Sequence, residues 1–210
     1  MPVDFKKTAK ALYQPPTTPG IIDVPAMTFL MVDGCGNPNT SAVYSDALEI
    51  LYGLSYSIKM SKMSGAQPDG YYEYVVPPLE GLWWLNKGGD DFSNDKERYC
   101  WTSMIRQPDF VTAEAFEFFK TVLAKKKPKL DLSRARLETF TEGLCVQAMH
   151  IGPYDDEPAT IAAMEHYAAE NGYAIDLSAT RRHHEIYLAD PRKTAPEKLR
   201  TVIRVPVRRA

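Results

Sequence analysis

Glu185 stands in the run Arg182-His183-His184-Glu185-Ile186-Tyr187-Leu188-Ala189, where polar and apolar side chains alternate with the period of a strand. The alternation sets Ile186 and Leu188 on one face and His183, Glu185 and Tyr187 on the other. A carboxylate beside a phenol and an imidazole can move a proton, or it can balance the charge of a cationic ligand. The ordinary place for a lone Glu is the solvated surface. Desolvation in an aromatic cleft is what makes a carboxylate a base usable near neutral pH. The aromatic residues that could form such a cleft are Tyr71, Trp83 or Trp84, Trp101 and Tyr187. Trp83 and Trp84 are adjacent on an expected strand, so only one can line it, and Trp84 is the choice here. Flat, rigid side chains cage flat or cationic ligands by stacking and by quadrupole attraction. The candidate catalytic residues are therefore Glu185 and Tyr71. The candidate ligand-binding residues are Tyr71, Trp84, Trp101, His183 and Tyr187, with Glu73 as a second acid.

Two similar stretches of chain would position these residues. Met27–Asp33 reads as a strand ending at Gly34, followed by a helix from about Thr40 to Tyr56. Tyr71–Val76 and Leu79–Leu85 then read as two strands broken by Pro77-Pro78. The order recurs later. Leu144–Ile151 is a strand ending at Gly152-Pro153, and Asp155-Asp156-Glu157-Pro158 supplies acids and a proline for a helix start. His183–Ala189 and Arg200–Val207 complete the unit. The pattern predicts tandem β-α-β-β units, with Tyr71-Tyr72-Glu73 echoing His183-His184-Glu185. The expected domain is single: one repeat over about 20–90, a helical insertion over about 91–130, and a second repeat over about 131–210. The insertion carries expected helices from about Ser93 to Arg106 and from Thr112 to Lys127. Arg136–Glu142 is an expected strand that turns at Gly143, and the proline-rich residues 1–25 are expected to be a surface arm. One helix per unit covers one sheet face. Ile186 and Leu188 would then belong to the helix-backed core, and Glu185 would look into an uncovered groove.

The bulk properties exclude several classes. A net charge of −2 over 210 residues gives no general attraction to nucleic acid. The basic runs at Lys125-Lys126-Lys127 and after Arg181 read as solvated surface. The three cysteines are odd in number and far apart, which points to free thiols in a cytoplasmic protein. No apolar run approaches transmembrane length. His183-His184 has no third ligand at useful spacing, so no metal is expected. No phosphate loop, dinucleotide fingerprint or nucleophile elbow occurs, and no cofactor is expected.

The stretch from Glu185-Ile186-Tyr187 through Asp190-Pro191-Arg192 to Val205-Pro206-Val207 resembles the GyrI-like small-molecule-binding proteins. Leu144–Gly152 followed by Pro153-Tyr154 resembles their strand ending in Gly-Pro-Tyr. Pro78-Leu79-Glu80-Gly81-Leu82-Trp83-Trp84 is similar to a segment of their stand-alone subgroup. The resemblance runs from about residue 20 onward. It implies an α+β fold of duplicated β-α-β-β (SHS2-type) units, a curved antiparallel sheet with helices on one face, and a ligand groove on the other. It also implies that Glu185 faces the ligand, often a lipophilic cation. The stand-alone subgroup hydrolyses the cyclopropane ring of DNA-alkylating cyclopropylpyrroloindole antibiotics in an aromatic cage. The expected activity is therefore a protective cyclopropanoid hydrolase acting on a flat aromatic small molecule. The alternative is a non-catalytic binder or sensor of lipophilic aromatic or cationic drugs. A contact with DNA gyrase enters by family analogy only.

Overall fold

The protein, described from a computed structural model over residues 1–86 and 95–210, is α+β with antiparallel strand ladders. Its elements are α1 (Phe5–Thr8), α2 (Lys10–Tyr13), β1 (Gly20–Cys35), α3 (Ala42–Lys59), β2 (Leu79–Leu85), β3 (Tyr99–Arg106), α4 (Ala113–Lys126), β4 (Ala135–Ile151), α5 (Glu157–Glu170), β5 (Tyr173–Ile175), β6 (His183–Tyr187) and β7 (Arg200–Arg209). They form two compact units. One comprises Met1–Asp4, Met27–Pro77 and Trp84–Phe140; the other comprises Phe5–Ala26, Pro78–Trp83 and Thr141–Ala210. Among the described residues no helix is long and apolar enough to cross a membrane.

In the first unit, β1 pairs with β3 from Phe29 opposite Arg106 to Cys35 opposite Cys100. This corrects two expectations. Tyr99–Arg106 is a strand, preceded by one 3-10 turn at Lys96–Arg98, and not a helix; Ser93 and Asn94, where the helix was expected to begin, lie outside the described residues. Cys100–Ile105 are all buried. A strand buried on both faces shows no alternation, and its apolar residues can mimic helical spacing. Second, Cys35 and Cys100 are joined by a disulfide rather than free. Strand register places them directly opposite each other across a sequence separation of 65. Helix α4 forms as expected, with the Thr112 hydroxyl accepting from the Ala115 amide at its start. Among the described residues, 71–76 form no ladder, and Tyr74 makes a single bridge, to Val3. Tyr71, Tyr72 and Tyr74 instead pack around the Phe110 ring at centroid distances of 5.2, 5.1 and 5.8 Å. The expected echo of β6 therefore has no strand behind it here.

In the second unit, β7 is the central strand. It pairs with β6, β4 and β5, and β6 pairs in turn with β2. Val146 and Ala148 of β4 and Ile203, Val205 and Val207 of β7 form one apolar face, which Met164 and Ala168 of α5 cover. The other face holds a buried polar cluster. His184 Nδ1 and Arg204 Nη1 share Glu142 Oε2 at 3.0 and 3.2 Å, and His184 Nε2 lies 3.0 Å from Glu80 Oε2. The Tyr13 hydroxyl donates to Glu80 Oε1 at 3.0 Å, and Arg204 Nε donates to Gln147 Oε1 at 3.0 Å. Glu142 and Gln147 are five residues apart, a spacing that sends side chains of a regular strand to opposite faces. Both nevertheless reach Arg204. Gly143 lies between them with φ +71°, a conformation open to glycine, and breaks the alternation in the manner of a bulge. The expected turn at Gly143 is thus an irregularity inside one continuous β4.

The N-terminal segment, expected as a surface arm, is partly built into the core. Phe5, Leu12 and Tyr13 are buried, and β1 begins at Gly20. Gln147 donates to the Ala11 carbonyl, Arg204 to the Leu12 carbonyl, and the Met149 amide to the Pro16 carbonyl. Backbone carbonyls supply these anchors, and burial of the Arg204 guanidinium and the Gln147 amide requires that their donors be satisfied.

Burial alone would strip His184 of its proton. The Glu142 carboxylate, assisted by Glu80, outweighs this and pushes the imidazole up to about 9. Glu142 is also disfavoured by burial, but His184 and Arg204 hold it down at about 2. A histidine raised on folding stabilises fully below its ordinary value of 6.5, and that contribution is lost as pH climbs through about 9. We therefore expect the melting temperature to fall between pH 6.5 and 9, and the His184 imidazole to remain protonated at pH 8 by NMR titration. A titration midpoint at or below 6.5 would contradict the cluster's role.

Candidate active site

Strand β6 carries three side chains on the face opposite the buried cluster. Glu185 accepts at Oε2 from the Tyr187 hydroxyl at 2.8 Å and meets His183 Nε2 at Oε1, 3.1 Å away. Against a carboxylate the imidazole nitrogen must be the donor. The side chains of Glu185 and His183 are 15% and 11% exposed, so the surface reading of Glu185 fails. Trp83 on β2 donates its indole N–H to the Tyr187 hydroxyl at 2.8 Å. Residues Gly81 and Trp83 stand opposite Glu185 and His183 in the β2–β6 ladder, which puts these four on one side.

Which side this is differs from expectation. Glu185 stands opposite Ile203 of β7, and Ile203 belongs to the apolar face covered by α5. The helix therefore packs on the Glu185 face, while Ile186 is fully buried on the face of His184 and Arg204. The α5 helix brings a second acid. Glu157, its first residue, is buried and faces Glu185 and the Thr201 hydroxyl. Burial, and then the negative charge of Glu185, push Glu157 up to about 10, so it is a neutral acid at physiological pH. Its Oε1 has no hydrogen-bond partner among the described residues. Tyr154, in the turn before α5, packs edge-on against Tyr187 with centroids 5.9 Å apart. Its burial, with the acids Glu157, Glu185 and Asp190 around it, raises its phenol to about 12. His150 holds this turn in place by contacts to the Thr160 hydroxyl at 2.8 Å and the Pro153 carbonyl at 3.0 Å.

The structure thus gathers Glu185, His183 and Tyr187 and adds Trp83, Glu157 and Tyr154. Trp83, not Trp84, joins this cluster; alternation turns the half-buried Trp84 to the opposite face of β2. The other sequence candidates belong to the first unit, each with contacts there. The Tyr71 hydroxyl donates to the Lys59 carbonyl at 2.7 Å, and Glu73 is exposed and paired with Lys62. Trp101 is fully buried against Gly34, edge-on to Tyr44 at 4.9 Å. Cavities of about 410 and 600 Å³ occur elsewhere and are lined by none of the residues gathered around Glu185. Among the described residues, no group of three or more His, Cys, Asp or Glu could hold a metal ion. Glu157 was visible in the sequence only as a helix-start acid; the Gly152-Pro153-Tyr154 turn was the signal that could have marked its neighbourhood.

An acid pair in which one member is neutral and its neighbour carries charge is suited to general acid–base chemistry on a small organic molecule. Residues 17–208 match the GyrI-like small molecule binding domain, and the chain belongs to that family. It is 50% identical to an uncharacterized conserved protein from Listeria innocua, over 98% of this chain and 100% of that one, with a TM-score of 0.93. It is 48% identical to a hydrolase from the same organism, over 98% of this chain and 100% of that one, with a TM-score of 0.90. The C-terminal domain of EcmrR, at 12% identity over 91% of this chain and 98% of that one and a TM-score of 0.54, shares the fold. Among curated proteins, none matches the chain.

Holding Glu157 neutral has a stability consequence. A carboxyl raised on folding destabilises progressively as pH rises from its ordinary value of 4.5 toward 10. Replacing Glu157 with the neutral isostere (Glu157→Gln) should raise the melting temperature at pH 8, by on the order of 5 °C. The gain should fade as pH drops to 4.5 and below, where the Glu157 carboxyl becomes neutral in the unfolded chain as well as in the fold. Thermal melts at the two pH values check this; an equal gain at both, or none at pH 8, would contradict it.

Proposed function

We propose that the protein is a hydrolase that opens the cyclopropane ring of flat, DNA-alkylating cyclopropylpyrroloindole-type compounds, with Glu185 as the base. The observation that carries this reading is the pairing of charged Glu185 with neutral Glu157 beside Trp83, Tyr154 and Tyr187. In such substrates a strained ring is conjugated to a dienone. Water attacks the ring methylene as Glu185 accepts its proton. The carbon–carbon bond breaks, and its electrons move to the carbonyl oxygen, forming a phenolate. That oxygen takes up a proton, and the net reaction is addition of water. Glu157, as a neutral acid, is suited to donate to the developing oxyanion, and a preformed donor in a desolvated site is worth more than one in water. Binding contributes chiefly by holding the flat substrate in a reactive geometry. Kinship to a small-molecule-binding family and to a hydrolase at 48% identity supports the class of reaction. The cellular role that follows is protection of DNA in the cytoplasm.

A second reading follows from the negative charge of Glu185 among aromatic rings, which would also attract a lipophilic cation without any chemistry. One experiment separates the two. The protein is incubated with a cyclopropylpyrroloindole, and ring opening is followed by mass spectrometry, with binding measured in parallel by tryptophan fluorescence. Hydrolysis predicts a product 18 Da heavier than the substrate, and Glu185→Gln should lower turnover by about two to four orders of magnitude while retaining binding. Binding without product, weakened by Glu185→Gln, would select the second reading.

A further inference from the structure

The contact between Trp83 and Tyr187 does not touch Glu185, yet it governs how Glu185 is held. A tyrosine hydroxyl has a single proton and rotates readily. The Tyr187 proton could point at any acceptor in reach. The Trp83 indole N–H occupies an acceptor position on that oxygen at 2.8 Å, and the hydroxyl donates to Glu185 Oε2 at 2.8 Å. With His183 on Oε1, the carboxylate is held from both ends. The indole reaches Tyr187 only because residue 81 has no side chain. A Cβ on Gly81 would lie 2.7 Å from Trp83 Nε1 and 3.3 Å from the Tyr187 hydroxyl oxygen. Trp83 is itself only 7% exposed, so the indole has little room to yield.

We infer that Trp83 is a positioning residue for Glu185, acting through the Tyr187 hydroxyl, and that Gly81 is the slot that admits its indole to that role. The inference rests on the reading of Glu185 as the base. It assigns to Trp83 an effect on turnover distinct from ligand contact, because the indole N–H is spent on Tyr187. A carboxylate aimed by one donor chain loses its reactive orientation when the chain is cut, whereas a ligand stacking on ring faces loses little.

The test uses the full chain and a cyclopropylpyrroloindole as substrate. Trp83→Phe keeps a flat apolar ring but removes the donor, and should lower kcat about tenfold, the scale of one hydrogen bond, with KM nearly unchanged. Gly81→Ala should do the same with Trp83 still present. In the double variant the effect of Gly81→Ala should largely disappear, because the atom it displaces is gone; a merely structural role would give additive losses. Wild-type kcat in Trp83→Phe, or full additivity, would overturn the inference. If Trp83→Phe does not fold, Gly81→Ala decides alone, by its split between kcat and KM. If the wild-type protein produces no ring-opened product, the hydrolase reading has failed, and NMR decides the relay. The Trp83 indole N–H resonance should shift in Tyr187→Phe; an unmoved resonance would refute the relay.

Discussion

The register of β6 is the constraint on which both faces of the second unit depend. Five residues set between β2 and β7 present His183, Glu185 and Tyr187 to one side and His184 and Ile186 to the other. A slip of one residue would exchange these sets. It would place Glu185 beside Glu80 and Glu142, adding a third carboxyl to a cluster in which His184 no longer stands and Arg204 is already engaged by Glu142 and Gln147. It would also turn His184 away from the two acids that keep it protonated. The buried cluster thus enforces the register that the site needs, and the cost of leaving a buried charge unpaired is what makes the enforcement strong. The same cluster fastens α2 through Tyr13 and the Leu12 carbonyl, and β4 through Glu142 and Gln147.

The two sides of β6 use the same residue types for opposite ends. On the cluster side, cations hold Glu142 well below the usual carboxylate range, so the acid is locked in its charged form. On the other side Glu157 has burial and a like charge for company, and it stays neutral. No substitution of side-chain chemistry is involved, only a difference of neighbours. The cluster contributes stability, whereas the Glu157–Glu185 pair gives some up at neutral pH. Reactive acids are commonly bought in that way.

What the sequence disclosed divides along the same physical line. Period-two alternation showed which face Glu185, His183 and Tyr187 share, because alternation is a property of a half-buried strand. It could not say which element covers that face, and α5 covers it. It failed for β3, where burial on both sides erases the pattern and leaves Trp101, Met104 and Ile105 looking helical. Parity showed that Trp83 and Trp84 must part, but not which one meets Tyr187; that depends on Gly81, whose contribution is an absence. Cys35 and Cys100 are partners by register alone. The N-terminal residues are held by their carbonyls, which every residue possesses and no sequence pattern reveals. The family resemblance was legible because it rests on the order of segments rather than on any single contact.

The hydrogen bonds around Glu185 bear on whether it is a base or a counter-charge. A residue that only neutralises a ligand's cation needs field, not direction, and gains by keeping its oxygens free. Here each oxygen of Glu185 already has a protein partner, one of them itself positioned by an indole. Each donor drains part of the charge that a cation would feel, so the arrangement weakens an electrostatic trap. It also restricts rotation of the carboxyl group, which matters for proton transfer, where distance and angle set the rate. The neighbouring Glu157 adds a proton where a cation-binding site would be better served by a second charge. Directed donors and a neutral acid both favour chemistry at Glu185 over simple charge balance.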